Sequence, residues 1–351
     1  MMPTYIATFC NTGTARFAIL NEEKIERVCE VDHNLQGAAI LGTTGVTIHN
    51  SDLAIGLQSI SGAIALVNRD LAVKEAFFID EARDIHGVCS LDNSLALVSS
   101  GTGQILSFDT NSRTTKPVWF DGIALSDISH LNDIVFWNNS IFFSQFGIRR
   151  PNEMRDGKVM ELPGGRSLAR GLREPHSPAI GDQDIYVLES ATGDLLRLRD
   201  GFAPERVLGI SGYARGLWIT PKHFIVGKSG YRGDSRHRLG DSRPIPFVQS
   251  AAASDTQKTS GIFIIDRASL SARFIDTTAI GLEIYQIIEL PEGFLEVAPT
   301  GIETKPPEET DKGVNAPTAA ARSPAHEPSG GSPRFSSHLH EVPGNDGISY
   351  E

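Results

Sequence analysis

The chain has 351 residues, 40 % hydrophobic and 21 % charged, a composition that supports a large buried core in a globular β protein. Its net charge of −11 excludes a broad basic face for nucleic acid, and no apolar run approaches membrane-spanning length. Cys10, Cys29 and Cys89 stand at unrelated spacings that make neither a disulfide framework nor a zinc motif, and the start lacks the basic and apolar regions of a secretory signal, so a cytoplasmic setting is expected.

The first predicted elements are three strands, "TYIATF", "TARFAIL" and "KIERVCEV". From Thr44 onward one pattern recurs: a short apolar strand, a polar turn, a second apolar strand, a Gly-containing turn and a third strand such as "QILSFD" or "LLRLRD". Copies align at Thr44, His86, Asn132, His176, Arg215 and Tyr285. The clearest internal match sets Ser190-Ala191-Thr192-Gly193 on Ser100-Gly101-Thr102-Gly103, an offset of 90 residues, about two repeats. No stretch of ten residues has helical period, so the repeat is built of strands.

Successive starts lie 39–46 residues apart, the length of one four-stranded propeller blade, except for a last step of 70. That step is long because a segment at 229–261 interrupts the fifth copy between its second and third strands. The three N-terminal strands lack a blade of their own and are expected to complete the sixth, joining both chain ends and removing exposed sheet edges. The predicted fold is thus all-β, a six-bladed β-propeller over residues 1–302. Residues 303–351 hold seven of the nineteen prolines and eight acids against four bases, a composition expected to stay disordered. Removing everything after residue 302 is expected to leave the melting temperature unchanged, which calorimetry on the shortened chain checks; a marked fall would mean that the tail packs on the ring.

Equivalent repeat positions occupy equivalent places around a propeller axis, so the repeat itself locates a site. The first aligned position forms one ring at the channel mouth: Thr44, His86, Asn132, His176, Arg215 and Tyr285. Two residues upstream lies a second: Gly42, Asp84, His130, Glu174, Tyr213 and Glu283. Three histidines and three carboxylates among twelve positions exceed what a solvated rim needs in a chain with ten histidines. Val88, Ile134, Pro178, Leu217 and Ile287, farther along the same strands, are expected between blades. Bases also gather near this mouth: Lys228, Arg232, Arg236, Arg238 and Arg243 at the interruption in blade five, and Arg149, Arg150 and Arg155 in the matching connection of blade three. They would focus anions there, with Arg215 offering a fork at the floor.

The segments "LREPHSP", "YARGLWI", "GIFIID" and "LEIYQIIELPEG", over about residues 4–298, resemble an uncharacterised bacterial family, a domain of unknown function with propeller architecture. "PHSP", "RGL" and "EIY" carry the resemblance most specifically. That family usually reads E-I-Y-D at the third motif, where this chain has Gln286 in place of the acid. A weaker likeness is to gluconolactonase-type six-bladed propellers, which hold a divalent metal with Glu, Asn, Asn and Asp; here only Asn132 corresponds and the other positions are histidines.

Two functions follow as expectations. In one, the mouth acts on a small anionic molecule. Glu174, His86 and His176 would hold a divalent metal that activates water for a hydrolase, or His86 or His176 would serve as base and Tyr285 as acid for a lyase or isomerase. Arg215, Asn132, His130, Asp84 and Glu283 would bind the ligand. In the other, the same surface recognises an anionic glycan, peptide or protein partner without catalysis.

Overall fold

The computed structural model describes residues 2–31, 35, 39–122, 127–148, 156–230, 247–248 and 259–295. The tail, most of the interruption in blade five, and Arg149, Arg150, Arg155, Arg232, Arg236, Arg238 and Arg243 lie outside the described residues.

The chain opens with β1 (Thr4–Cys10), β2 (Arg16–Asn21) and β3 (Ile25–Glu30). Four blades of four consecutive strands follow. Blade one is β4 (Gly42–His49), β5 (Asp52–Gln58), β6 (Ala63–Val67) and β7 (Val73–Phe78). Blade two is β8 (Ile85–Leu91), β9 (Ser94–Ser99), β10 (Gln104–Asp109) and β11 (Thr114–Phe120). Blade three is β12 (Leu131–Trp137), β13 (Ser140–Gln145), β14 (Gly157–Leu162) and β15 (Arg166–Leu172). Blade four is β16 (Pro175–Gly181), β17 (Asp184–Glu189), β18 (Asp194–Leu198) and β19 (Glu205–Ile210).

Blade five is formed by β20 (Tyr213–Ile219), β21 (His223–Ser229), then β23 (Gly261–Asp266) and β24 (Ala272–Asp276). The interruption thus falls between its second and third strands, and within it β22 (Phe247–Val248) pairs in parallel with β19. The last strand, β25 (Glu283–Leu290), is the inner strand of blade six and pairs antiparallel with β1, which continues to β2 and β3. Among the described residues there is no helix long and apolar enough to cross a membrane.

The six inner strands β4, β8, β12, β16, β20 and β25 touch in succession, and β25 meets β4 to close the ring. Every gap between adjacent blades has its own apolar cluster. Phe17, Ile19, Val46 and Ile55 fill the gap between blades six and one, and Tyr186, Leu188, Phe224 and Phe263 that between four and five. Strands such as β9 and β17 read as continuous apolar runs because each blade is covered on both faces by its neighbours. Val88, Ile134, Leu217 and Ile287 lie in these clusters, as their repeat position requires.

Candidate functional site

One backbone irregularity recurs in every blade and builds the site. The inner strand slips register against its neighbour just after its start, between Thr43 and Val46, Ile85 and Val88, Leu131 and Ile134, His176 and Ala179, and Ala214 and Leu217; β25 slips against β1 at the matching place. A bulge leaves two residues out of the ladder, so strict alternation is suspended and adjacent side chains both serve the channel. The residue after the first ring therefore makes a third: Gly45, Gly87, Asp133, Ser177, Gly216 and Gln286.

This third ring ties the inner strands together. Asp133 Oδ2 accepts from the Ser177 N–H at 2.7 Å and from Ser177 Oγ at 3.2 Å, while Ser177 Oγ accepts from the Gly216 N–H at 2.9 Å. Gln286 Oε1 accepts from the Val46 N–H at 2.7 Å, and Thr44 Oγ1 donates to the Ile85 carbonyl at 2.7 Å. Where the neighbour comes closest only glycine fits: a Cβ on Gly45 would lie 2.4 Å from Val88 N and 2.6 Å from the His86 carbonyl.

The loops ahead of β8, β12 and β16 share a second device. Asp84, His130 and Glu174 all have positive φ, between 48° and 53°. In each, the carbonyl accepts from a backbone N–H of the facing turn: Ser100, Phe146 and Ser190 respectively. These three second-ring residues are thereby held at equivalent points on the rim.

Above the third ring the side chains form an arc of aromatic rings. Tyr285 meets His86 with centroids 5.5 Å apart, His86 meets His130 at 5.1 Å, and His130 meets Phe146 at 4.6 Å. Phe146 then meets His176 at 5.0 Å, and His176 meets Tyr213 at 5.7 Å. Most of these contacts are edge-to-face, the geometry that ring quadrupoles favour. His86 and His176 thus stand two blades apart, joined through His130 and Phe146, with Asn132 on the blade between them.

Polar contacts orient the arc. His86 Nε2 is 3.2 Å from Asp84 Oδ2, His130 Nδ1 is 2.9 Å from Asp127, and the Tyr213 hydroxyl donates to Glu174 Oε2 at 2.9 Å. His176 is buried, its Nδ1 2.7 Å from Ser190 Oγ and 3.1 Å from the Glu174 carbonyl. Burial pushes the Asp84 carboxyl upward, but its His86 hydrogen bond and the charges of His86, His130 and Arg215 outweigh that and hold it below the usual carboxylate range.

Arg215 is 2 % exposed. Its guanidinium lies 4.3 Å over the Tyr285 ring, Nη1 is 3.5 Å from Cys10 Sγ, and Glu283 Oε2 is 3.6 Å away. "PHSP", "RGL" and "EIY" therefore meet in one place, since Ser177 binds Gly216 and Arg215 covers Tyr285 beside Glu283.

Five buried polar atoms in this region have no hydrogen-bond partner: His86 Nδ1, Asn132 Oδ1, Asp133 Oδ1, Arg215 Nε and Tyr285 Oη. Burial pushes the Asp133 carboxyl up, against the lowering influence of Arg215. Burial likewise raises the Tyr285 phenol well above its ordinary value, and nearby Asp133 adds to it.

The structure does not gather the expected metal ligands. Glu174 is engaged by Tyr213, His176 by Ser190, and among the described residues no three His, Cys, Asp or Glu groups are placed to hold a metal ion. Lys228 also departs from expectation. Its place among the bases at the interruption implies an ammonium at the mouth, but it belongs to β21 and is fully buried, with Nζ donating to Thr259 Oγ1 at 2.7 Å and to the Thr259 carbonyl at 2.9 Å.

Asp133, Cys10 and Phe146 escaped the sequence reading. For Asp133 a signal existed: three glycines and three hydrogen-bonding side chains at one repeat position inside otherwise apolar strands. At the opposite end of the strands an open cleft of about 630 Å³ lies between blades four and five, where Arg267 pairs with Asp182 and Arg197 with Glu205.

Fold and site define a closed six-bladed propeller with a polar channel. The chain belongs to the family described as a domain of unknown function, DUF4915, whose model matches residues 71–295. A search of curated proteins finds no match. Among solved structures the chain is similar to a protein of unknown function from Bacteroides caccae (TM-score 0.55, 12 % identity, covering 82 % of this chain and 99 % of that one). It is also similar to a chain of a nidogen/laminin complex (0.53, 11 %, 82 % and 98 %). A putative gluconolactonase is similar at a TM-score of 0.42 and 13 % identity, covering 67 % of this chain and 89 % of that one. At such identities the first two likenesses show the fold alone.

Proposed function

We propose that the channel mouth binds a small organic anion, with Arg215 as its principal contact. The observation that carries this reading is the state of Arg215. A guanidinium this buried is ordinarily closed off by several charge-assisted hydrogen bonds. Here its neighbours are a thiol, an aromatic face and a carboxylate at 3.6 Å, while Nε is unpartnered beside the equally unpartnered Tyr285 hydroxyl. The two residues are in contact and each keeps an unpartnered donor, which an anion would complete. Tyr285, with its raised phenol, stays protonated at neutral pH and donates. His86, oriented through Nε2 by Asp84, presents Nδ1 as a base if turnover follows binding. Asn132 lines the same region, and His176 acts as a positioning residue through Ser190.

Titration calorimetry with succinate, sulfate and inorganic phosphate tests the reading. At least one should bind the full chain with an affinity that falls as salt rises, and Arg215→Gln should weaken it at least tenfold. Failure of all three to bind, or an unchanged affinity in the variant, would overturn it.

A further inference from the structure

The unpartnered atoms are not mixed at random around the channel. Three are acceptors: His86 Nδ1 on β8 of blade two, and Asn132 Oδ1 and Asp133 Oδ1 side by side on β12 of blade three. Arg215 Nε, a donor, and Tyr285 Oη, kept as a donor by its raised phenol, sit on β20 and β25 of blades five and six. Blades three and six face each other in a six-membered ring. The channel is therefore polarised, with acceptors on one wall and donors on the other.

Asn132 and Asp133 are 0 % and 2 % exposed, and a buried acceptor without a donor is costly. The Asn132 amide group is already used, donating to the His130 carbonyl at 3.2 Å and to the Pro175 carbonyl at 3.4 Å, which fixes Oδ1 as the free end. On Asp133, Ser177 takes Oδ2 and leaves Oδ1. A simple anion would satisfy Arg215 and Tyr285 and leave both β12 acceptors unpaired.

We infer that the ligand is a carboxylate bearing a hydrogen-bond donor, hydroxyl or ammonium, on a neighbouring carbon. Its carboxylate meets Arg215 and Tyr285, and its donor meets Asp133 and Asn132. Asp133 is then the residue that sets specificity. This inference rests on the anion-binding reading above and adds the second half of the ligand. A site built to pair a substrate donor rejects the analogue lacking it, because its own buried groups stay unpaired.

The test is calorimetry at pH 7 with three probes of one carbon skeleton, succinate, malate and aspartate, on the full chain and on Asp133→Asn. Malate or aspartate should bind the natural chain at least tenfold more tightly than succinate, and which of the two is tighter tells hydroxyl from ammonium. In Asp133→Asn the amide oxygen takes over Ser177 and the amide N–H faces the channel, so the preference should shrink to less than threefold. Equal binding of all three probes by the natural chain would overturn the inference while the anion site stands. Binding of none would overturn both, and a preference that survives Asp133→Asn would overturn the role given to Asp133. Circular dichroism of the variant at the same pH separates lost preference from lost fold.

Discussion

Phe9→Ala is expected to destabilise the protein by about 3–5 kcal/mol, the usual loss for removing a fully buried phenylalanine from a core. Phe9 lies on β1, is 0 % exposed, and packs in the cluster between blades five and six with Ile225, Ile262, Ile284 and Ile287. Its surroundings are too close to collapse around a missing ring by a small shift. A Cβ on Gly42 would stand 2.6 Å from the Phe9 carbonyl, and one on Gly281 would stand 3.2 Å from Phe9 Cβ. The site also carries a topological load, since β1 and β25 join residues from opposite ends of the propeller's chain in one blade. Val28→Ala on the outer strand β3, where Val28 is 49 % exposed, should cost less than about 0.5 kcal/mol and serves as the control. Chemical unfolding of both variants measures the difference. If Phe9→Ala cost no more than Val28→Ala, the N-terminal strands would be an appendage and not part of the cooperative ring.

Asp133 offers a pair of substitutions with opposite expected signs. Asp133→Ala removes the acceptor of the Ser177 N–H and hydroxyl, and stranding a buried donor costs about 1–3 kcal/mol. Asp133→Asn keeps an acceptor for Ser177 and removes the buried ionisable carboxyl. Because the folded-state pKa of Asp133 is raised, the folded protein holds its proton more tightly than the unfolded chain. The stability from this group is fully present below the unfolded value and is lost as pH rises through the folded one. The Asn variant escapes that loss. It should therefore be more stable than the natural protein at pH 7, with the gain fading as pH is lowered to about 4, near the ordinary carboxylate value. Urea unfolding at the two pH values checks this. A gain that grew toward acid would mean that Arg215 and His86 outweigh burial and hold the folded Asp133 carboxyl below its unfolded value.

The sheet order was readable because propeller blades repeat both length and pattern. Starts at Thr44, His86, Asn132, His176, Arg215 and Tyr285 all became inner strands, and the unpaired strands at the N-terminus could only complete the last blade. The first two rings were equally legible, since a repeat position maps to a place around the axis whatever the side chain. The third ring was not. Period-two alternation sends the residue after Asn132 away from the channel, and only the register slip between Leu131 and Ile134 brings Asp133 to Ser177 of the next blade.

Lys228 shows the converse error. Its charge suggested a base at the mouth, but β21 continues to Ser229 and the buried ammonium donates to Thr259. A basic residue in sequence does not say whether its ammonium will find solvent or a carbonyl. The sequence by itself determined what is periodic: strand count, blade order, closure and the ring of polar residues at the mouth. The tertiary structure alone decided what depends on contact between residues distant in the chain: the pairing of Asp133 with Ser177, the approach of Cys10 and Glu283 to Arg215, and which buried polar atoms are left without a partner. The physical reason is that local pattern reports which face of a strand is buried. A hydrogen bond instead requires an atom-to-atom distance that only the closed ring sets.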